Sequence, residues 1–354
     1  MEQHYAREIL TGRLAPGARI PSNAELATIW KTSSRAVHAA LGGLVIRGLV
    51  ERKQRRGTFV TDHRRSAMIG VLVKGHLVNE NAAYFRMLCY QLEVQLEKLR
   101  LSCRIYDDLG NSSQANEGES PSLRHFLLDQ KVYDFKGFIY IGTATIDQLP
   151  AVNDLHPRVV HLDSTRGLDV VLDMDDFLRT TVSEMASRGF RKLAYVRPLW
   201  KNRFRTKPLS LDKALAEVAA ECGIAAPRSW DLMLRDGETN MEHDAFEQIK
   251  KGLREGVLGK KSEFPDAIII PDDVMARPLI FALRDMGIRV PADVNICILS
   301  NTEVDFFYGV PVYRYGISIS DLAKHMISLL QIRMIRKDEP ALPIKLKGQF
   351  LEIR

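Results

Sequence analysis

Arg52-Lys53-Gln54-Arg55-Arg56 puts four cations into five residues, a density suited to gripping phosphate. Ahead of it, Ser33, Ser34, Arg35 and His38 stand at the start of an apolar-periodic stretch, where they are free to face base edges. Arg35 can donate two hydrogen bonds to a guanine edge. A capping or solvated role competes for each of the four, and for Ser33 capping is the stronger reading. These residues belong to a charged head. Residues 1–66 carry twelve Lys/Arg against five Asp/Glu, or +7, so with +6 on the whole chain the remainder sums to −1. One basic module joined to a neutral body points to a polyanionic partner, although a solubilising basic face would give the same count.

The local pattern supplies elements to position these groups. Ile9 and Leu10 mark the apolar face of a first helix that stops at Gly12. Ser22, with Glu25 three residues on, reads as a capping box opening a second helix, and Thr58 lies beyond the basic run on a β-prone piece. Val37, Leu41 and Leu44 recur at helical spacing in a third helix that ends at Gly48. Leu49–Glu51 and Thr58–Val60 are short strands flanking the cations. Helix, turn, helix and basic hairpin form a winged helix, whose second helix of the pair can enter a major groove.

Those residues carry a resemblance. GRLAPGARIPSNAELA followed by SSRAVHAALGGLVIRGLVERKQRRGTFV resembles the GntR-type winged helix across residues 5–61. The resemblance implies a DNA-binding head with contacts from Ser22, Ser33, Ser34, Arg35, His38, Arg52, Lys53, Arg55, Arg56 and Thr58. The chain departs from that pattern at Ala24, Ser34 and His38, where the family usually has arginine, and at Arg55, where the wing usually has glycine.

Beyond a polar linker the chain alternates strand-like apolar runs, such as Ile69–Val73, Gly137–Ile141, Leu193–Val196, Ala267–Ile270 and Asn295–Leu299, with helical stretches. Alternation of this kind implies parallel sheets wrapped by helices, with ligands collecting beyond the carboxyl ends of the strands. The passages IGVLV, FKGFIYIG, DMDDFLRTTVSEMASRGFRKLAYVRP and PDAIIIPDDVMARPLIFALRDMGIRVPADVNICILSN resemble the LacI-type, periplasmic-binding-protein-like effector domain. Together with the head, the arrangement is similar to that of arabinose-repressor-like regulators. The expected fold is α/β: a winged helix over residues 1–62, a linker at 63–67 and a two-lobed body over 68–354. The first lobe is expected at 68–165 with 300–322, and the second at 166–299 with 323–354.

By that likeness a sugar or similar metabolite would bind in an inter-lobe cleft, and Tyr84, Trp200, Arg203, Arg205, Asp272, Asp273 and Asn301 are its candidate partners. Trp200 reads equally as a core ring, Arg203 and Arg205 as solvated loop charges, and Asp272 or Asp273 as a helix cap. Asn301 stands where the family commonly has aspartate. The resemblance further implies a homodimer acting as a repressor on a roughly two-fold operator.

Other classes find little support in the residues. Gly259-Lys260-Lys261-Ser262 is the nearest approach to a phosphate loop, but Arg254 occupies the first glycine's place. Glu242-His243-Asp244 reads as a solvated face, and no zinc-protease or nucleophile-elbow motif occurs. No enzyme activity, metal or cofactor is expected. Cys89, Cys103, Cys222 and Cys297 are widely spaced and read as reduced thiols. No run reaches the ~18–20 apolar residues of a membrane span, and no signal-like stretch opens the chain, so the expectation is a cytoplasmic protein without a membrane partner. The competing reading is a metabolite-binding module or cleft enzyme without sequence-specific DNA binding.

Overall fold

The computed structural model describes residues 1–10, 12–46, 49–53, 56–61, 68–73, 77, 82–107, 121–130, 133, 135–142, 159–162, 169–200, 209–225, 227–234, 241–259, 263–304, 306–335 and 343–352. The head contains α1 (Glu2–Leu10), β1 (Arg19–Ile20), α2 (Asn23–Ile29), α3 (Ser34–Ile46), β2 (Val50–Lys53) and β3 (Gly57–Val60). Next come β4 (Met68–Val73), α4 (Ala83–Lys98), β5 (Ser102–Tyr106), α5 (Pro121–Asp129), β6 (Phe135–Ile141) and β7 (Val159–Leu162). Then follow β8 (Val170–Leu172), α6 (Met174–Ser187), β9 (Leu193–Trp200), α7 (Leu209–Glu221), β10 (Arg228–Leu234), α8 (Met241–Arg254), β11 (Ala267–Ile270) and α9 (Asp273–Asp285). The chain closes with β12 (Asn295–Asn301), β13 (Tyr313–Ile317), α10 (Ile319–Ile335), β14 (Ile344–Leu346) and β15 (Gln349–Leu351).

The chain divides into two compact units. The first comprises 1–77, 92–165 and 326–341, and the second 78–91, 166–325 and 342–354. Within the first, the head folds on its own small core: Tyr5 and Ile9 of α1, Leu26 of α2, Val37, Leu41 and Leu44 of α3, and Val50 and Val60 of the wing are buried together. At about 1.5–3 kcal/mol per fully buried aliphatic or aromatic side chain, this cluster is what makes so short a segment fold. Its sheet has the antiparallel order β1-β3-β2, so Arg19-Ile20 adds a third strand to the expected hairpin. A Cβ on Gly43 of α3 would lie 2.5 Å from the Glu2 carboxylate of α1, so a larger residue there would have to turn that side chain aside.

The rest of the first unit holds the parallel strands β7-β6-β4-β5. Every residue of β4 is buried, as expected of a strand covered on both faces. In the second unit the order is β10-β9-β11-β12-β13-β15, parallel except for the terminal β15. β8 and β14 pair in parallel in the same unit. Pro198 sits where β9 has run past β11, so only β10 flanks it and no ladder donor is lost on the other side.

Two expectations about the body need correction. Residues 300–322 were expected with the first lobe, yet β13 pairs with β12 in the second unit's sheet. Tyr315 and Ile317 are buried there, which draws the strand into that sheet. Conversely, 326–341 group with the first unit. Among the described residues no helix is long and apolar enough to cross a membrane, and the four cysteines are free thiols.

Glu303 anchors the turn from β13 into α10. Its carboxylate accepts from Ile319 N (2.8 Å), Ser320 N (3.0 Å), Ser318 Oγ (2.9 Å) and Thr302 Oγ1 (2.7 Å). Burial opposes ionisation, but those four donors outweigh it and hold the carboxyl below the usual glutamate range. A carboxyl depressed by folding contributes stability that is present above its unfolded pKa, about 4.3, and is lost as pH falls through the folded value. Glu303→Gln should therefore lower stability at neutral pH by roughly 1–3 kcal/mol. Thermal melts across pH should show the variant and wild type converging below about pH 4.

Candidate functional site

In the head, Ser22 caps α2: its hydroxyl accepts from Glu25 N at 3.3 Å, and its own N–H donates to the Glu25 carboxylate at 2.7 Å. The Ser22 N–H, then its hydroxyl, hold that carboxyl below the usual range. Ser33 does the same for α3, accepting from Ala36 N at 3.2 Å. Its hydroxyl is a cap, the stronger of the two roles the sequence allowed. With Val37, Leu41 and Leu44 turned into the core, Ser34, Arg35 and His38 are left exposed on the first turns of α3. Residues three and four apart share a helix face, so these three form one edge. The Arg35 side chain makes no hydrogen bond or ion pair with any described residue.

The wing cations are not equivalent. Arg52 reaches back from β2 to α3, donating from Nη1 to His38 Nε2 at 3.0 Å and from Nη2 to the His38 carbonyl at 3.3 Å. Lys53 pairs with Glu51 at 2.8 Å and lies 5.4 Å from the Phe59 ring centroid. Arg56 is exposed at the turn, and Thr58 sits in β3 opposite Arg52. Arg55 lies outside the described residues. Gly57 holds φ +114°, a conformation that disfavours side chains, and a Cβ there would meet Arg19 Nε at 3.1 Å. The sequence pointed to His38 and Arg52 separately; the bond joining them, fourteen positions apart, left no local signal.

In the second unit, Asp272 is the N-cap of α9, accepting from Met275 N at 2.9 Å. The capping alternative is therefore what the geometry gives this residue, and Asp272→Ala should cost about 1 kcal/mol in urea unfolding. Asp273 and Asn301 do come together: Asn301 Nδ2 donates to Asp273 Oδ2 at 3.1 Å, across the carboxyl ends of β11 and β12. Burial raises the Asp273 carboxyl above the ordinary range, against the opposing pull of its backbone N–H contacts, Asn301 and Arg314. Arg314 joins them from β13, donating from Nε to Ser300 Oγ (3.0 Å) and from Nη2 to the Asn301 carbonyl (2.8 Å). Sequence reasoning missed Arg314 because an arginine in YRYGI reads as a break in an apolar strand.

The remaining candidates are dispersed. Tyr84 is in the first turn of α4, edge-on to Phe85 at 5.2 Å. Trp200 is the last residue of β9, opposite Leu234; its side chain is not described. Arg203 and Arg205 lie outside the described residues. Among the described residues no three His, Cys, Asp or Glu side chains gather to hold a metal ion.

A winged helix with a basic wing is thus followed by parallel α/β units with polar groups at strand ends. Residues 2–60 match the family model of bacterial regulatory proteins of the gntR family, and residues 182–347 match a periplasmic binding protein-like domain. The chain is similar to the HTH-type transcriptional regulator GanR of Bacillus subtilis, at 24% identity over 55% of this chain and 58% of that protein. It is also similar to the HTH-type transcriptional repressor PurR of Haemophilus influenzae, at 28% identity over 43% of this chain and 41% of that one. The match thus spans about half the length of the curated relatives. Among solved structures, the transcription regulator CcpA of Lactococcus lactis aligns with 82% of this chain and 99% of its own, at TM-score 0.59 and 16% identity. A dimeric Lac repressor aligns with 81% of this chain and 97% of its own, at TM-score 0.56 and 17% identity. At such identities the likeness is one of fold.

Proposed function

We propose that this chain is a ligand-responsive, DNA-binding transcription regulator, most simply a repressor, that acts in the cytoplasm as a homodimer. The observation that carries the reading is the exposed edge of Ser34, Arg35 and His38 on α3, flanked by the wing's Arg52 and Arg56. A helix edge of this kind reads bases in the major groove, and an exposed wing cation such as Arg56 holds the backbone. The names of the relatives support the same class of activity, because GanR and PurR are both described as HTH-type transcriptional regulators or repressors.

The effector is assigned to the polar group at the carboxyl ends of β11 and β12 in the second unit. Asp273, Asn301 and Arg314 offer a carboxyl, an amide and a guanidinium within one small region, a set that suits a sugar or another hydroxyl-rich metabolite. Ligand binding can alter DNA affinity only by as much as it distinguishes the DNA-competent state from the incompetent one, typically about 1–3 kcal/mol. Phe281 and Phe307, both exposed in the second unit, supply apolar surface for a second copy.

Selection from a randomised duplex library, followed by titration of the selected site against salt, tests the DNA reading. Strong sequence preference is expected, together with a steep linear fall of log affinity with log salt. Binding that ignored both sequence and ionic strength would remove the proposal.

A further inference from the structure

We propose that Arg52 is a positioning residue that fixes His38 as a hydrogen-bond donor toward the bases, so that the head rejects cytosine at the position His38 meets. The inference rests on the DNA-binding reading above and gives that interface a specific base preference. A guanidinium can only donate, so His38 Nε2, 3.0 Å from Arg52 Nη1, must be the acceptor. An imidazole whose Nε2 accepts is neutral and carries its single proton on Nδ1. The second prong of Arg52, from Nη2 to the His38 carbonyl, ties the same guanidinium to the backbone of α3, so the fork grips one residue at two points. Arg52 itself is held in register by the wing, where β2 pairs with β3 from Val50↔Val60 to Lys53↔Gly57. The wing strand thereby sets the protonation pattern of a side chain on the reading helix.

The consequence follows from the edges of the bases. His38 is exposed and lies three residues after Arg35 on the same helix edge, and its remaining ring N–H is a donor. In the major groove guanine, adenine and thymine each present an acceptor, whereas cytosine presents only its N4 amine, a donor. A donor fixed opposite a donor leaves both unsatisfied, and discrimination against cytosine of about tenfold is expected. Without Arg52 the ring is released to exchange between tautomers, and the form with an accepting Nδ1 would tolerate cytosine. Arg52 thus acts through His38 and does not itself need to touch a base.

Two measurements on the full-length chain test this. Histidine side-chain nitrogen NMR, with His38 assigned from a His38→Gln variant, should show Nε2 unprotonated and Nδ1 protonated in the free protein. Arg52→Ala should shift that signal toward the Nε2–H tautomer, and Arg52→Lys should restore it in part. Selection from a randomised duplex library should return one position per half-site at which the wild type disfavours cytosine about tenfold. Arg52→Ala and His38→Gln should each erase that preference alone, and the double variant should be no more permissive than either. A protonated Nε2 in the wild type, or a cytosine exclusion that survives Arg52→Ala, overturns the proposal. So does a uniform loss across all sequences, which would make Arg52 a phosphate contact. A library that yields no preferred sequence removes the DNA-binding reading itself, whereas a preferred sequence that admits cytosine at every position removes only the positioning role.

Discussion

Arg35→Ala is expected to weaken binding to the selected duplex by roughly 5- to 150-fold, equivalent to about 1–3 kcal/mol, and to relax preference at a single base position. Arg35 follows the first residue of α3 and is exposed, and among the described residues its guanidinium has no hydrogen-bond or ion-pair partner. A bidentate pair with guanine is the commonest base-specific contact such a group makes. The expected signature is selective: the preferred sequence loses affinity, and scrambled duplex hardly changes. Arg56→Ala should do the opposite, weakening every sequence alike and reducing the salt slope by about one. Fluorescence anisotropy on matched and scrambled duplexes at several salt concentrations separates the two. Equal losses on both duplexes for Arg35→Ala would take that residue out of base reading.

The second large effect concerns the body. Arg197 on β9 stands directly opposite Asp231 on β10, and only 6% of it is exposed. Its Nε donates to Asp231 Oδ1 at 2.8 Å, and its Nη1 donates to Asp212 Oδ1 of α7 at 3.0 Å. Arg197→Met would leave two carboxylates side by side with no cation between them. Removing one partner of a buried ion pair costs about 3–5 kcal/mol. Asp212 is 44% exposed and Asp231 24%, so water relieves part of this, and about 2–4 kcal/mol is expected. Urea unfolding followed by circular dichroism should show the loss, and adding Asp231→Asn to Arg197→Met should recover part of it. Salt-dependent binding to scrambled duplex should be unchanged, because the head has its own core. A stability change below about 0.5 kcal/mol would mean the cluster is not what fastens β10 and α7 to the sheet.

Arg197 also illustrates what a linear reading misses. In sequence it follows Val196 and looks like the first residue of a loop near the ligand candidates. Strand β9 instead continues to Trp200, and the guanidinium is consumed internally. The edge strand β10 hid for a related reason: RSWDLML opens with Arg and Ser, carries Asp in the middle and shows no regular alternation, and pairing with β9 is what makes it a strand. β13 was hidden by Arg314, a buried cation made tolerable by Ser300 and the Asn301 carbonyl on the neighbouring strand.

What the chain's order of residues determined by itself was everything governed by interactions a few positions long. The Ser22–Glu25 capping box, the Val37–Leu41–Leu44 stripe, the wing turn and the apolar runs of the parallel sheets are all local, because helix spacing and strand burial repeat within one or two turns. Tertiary structure alone decided which polar groups are free. His38 and Arg52 are coupled, Asp273 meets Asn301, and Arg197 is locked away. Strand register and helix placement bring those partners together from 14 to 34 positions apart, and side-chain hydrogen bonds depend on distances of a few tenths of an ångström that no periodicity encodes.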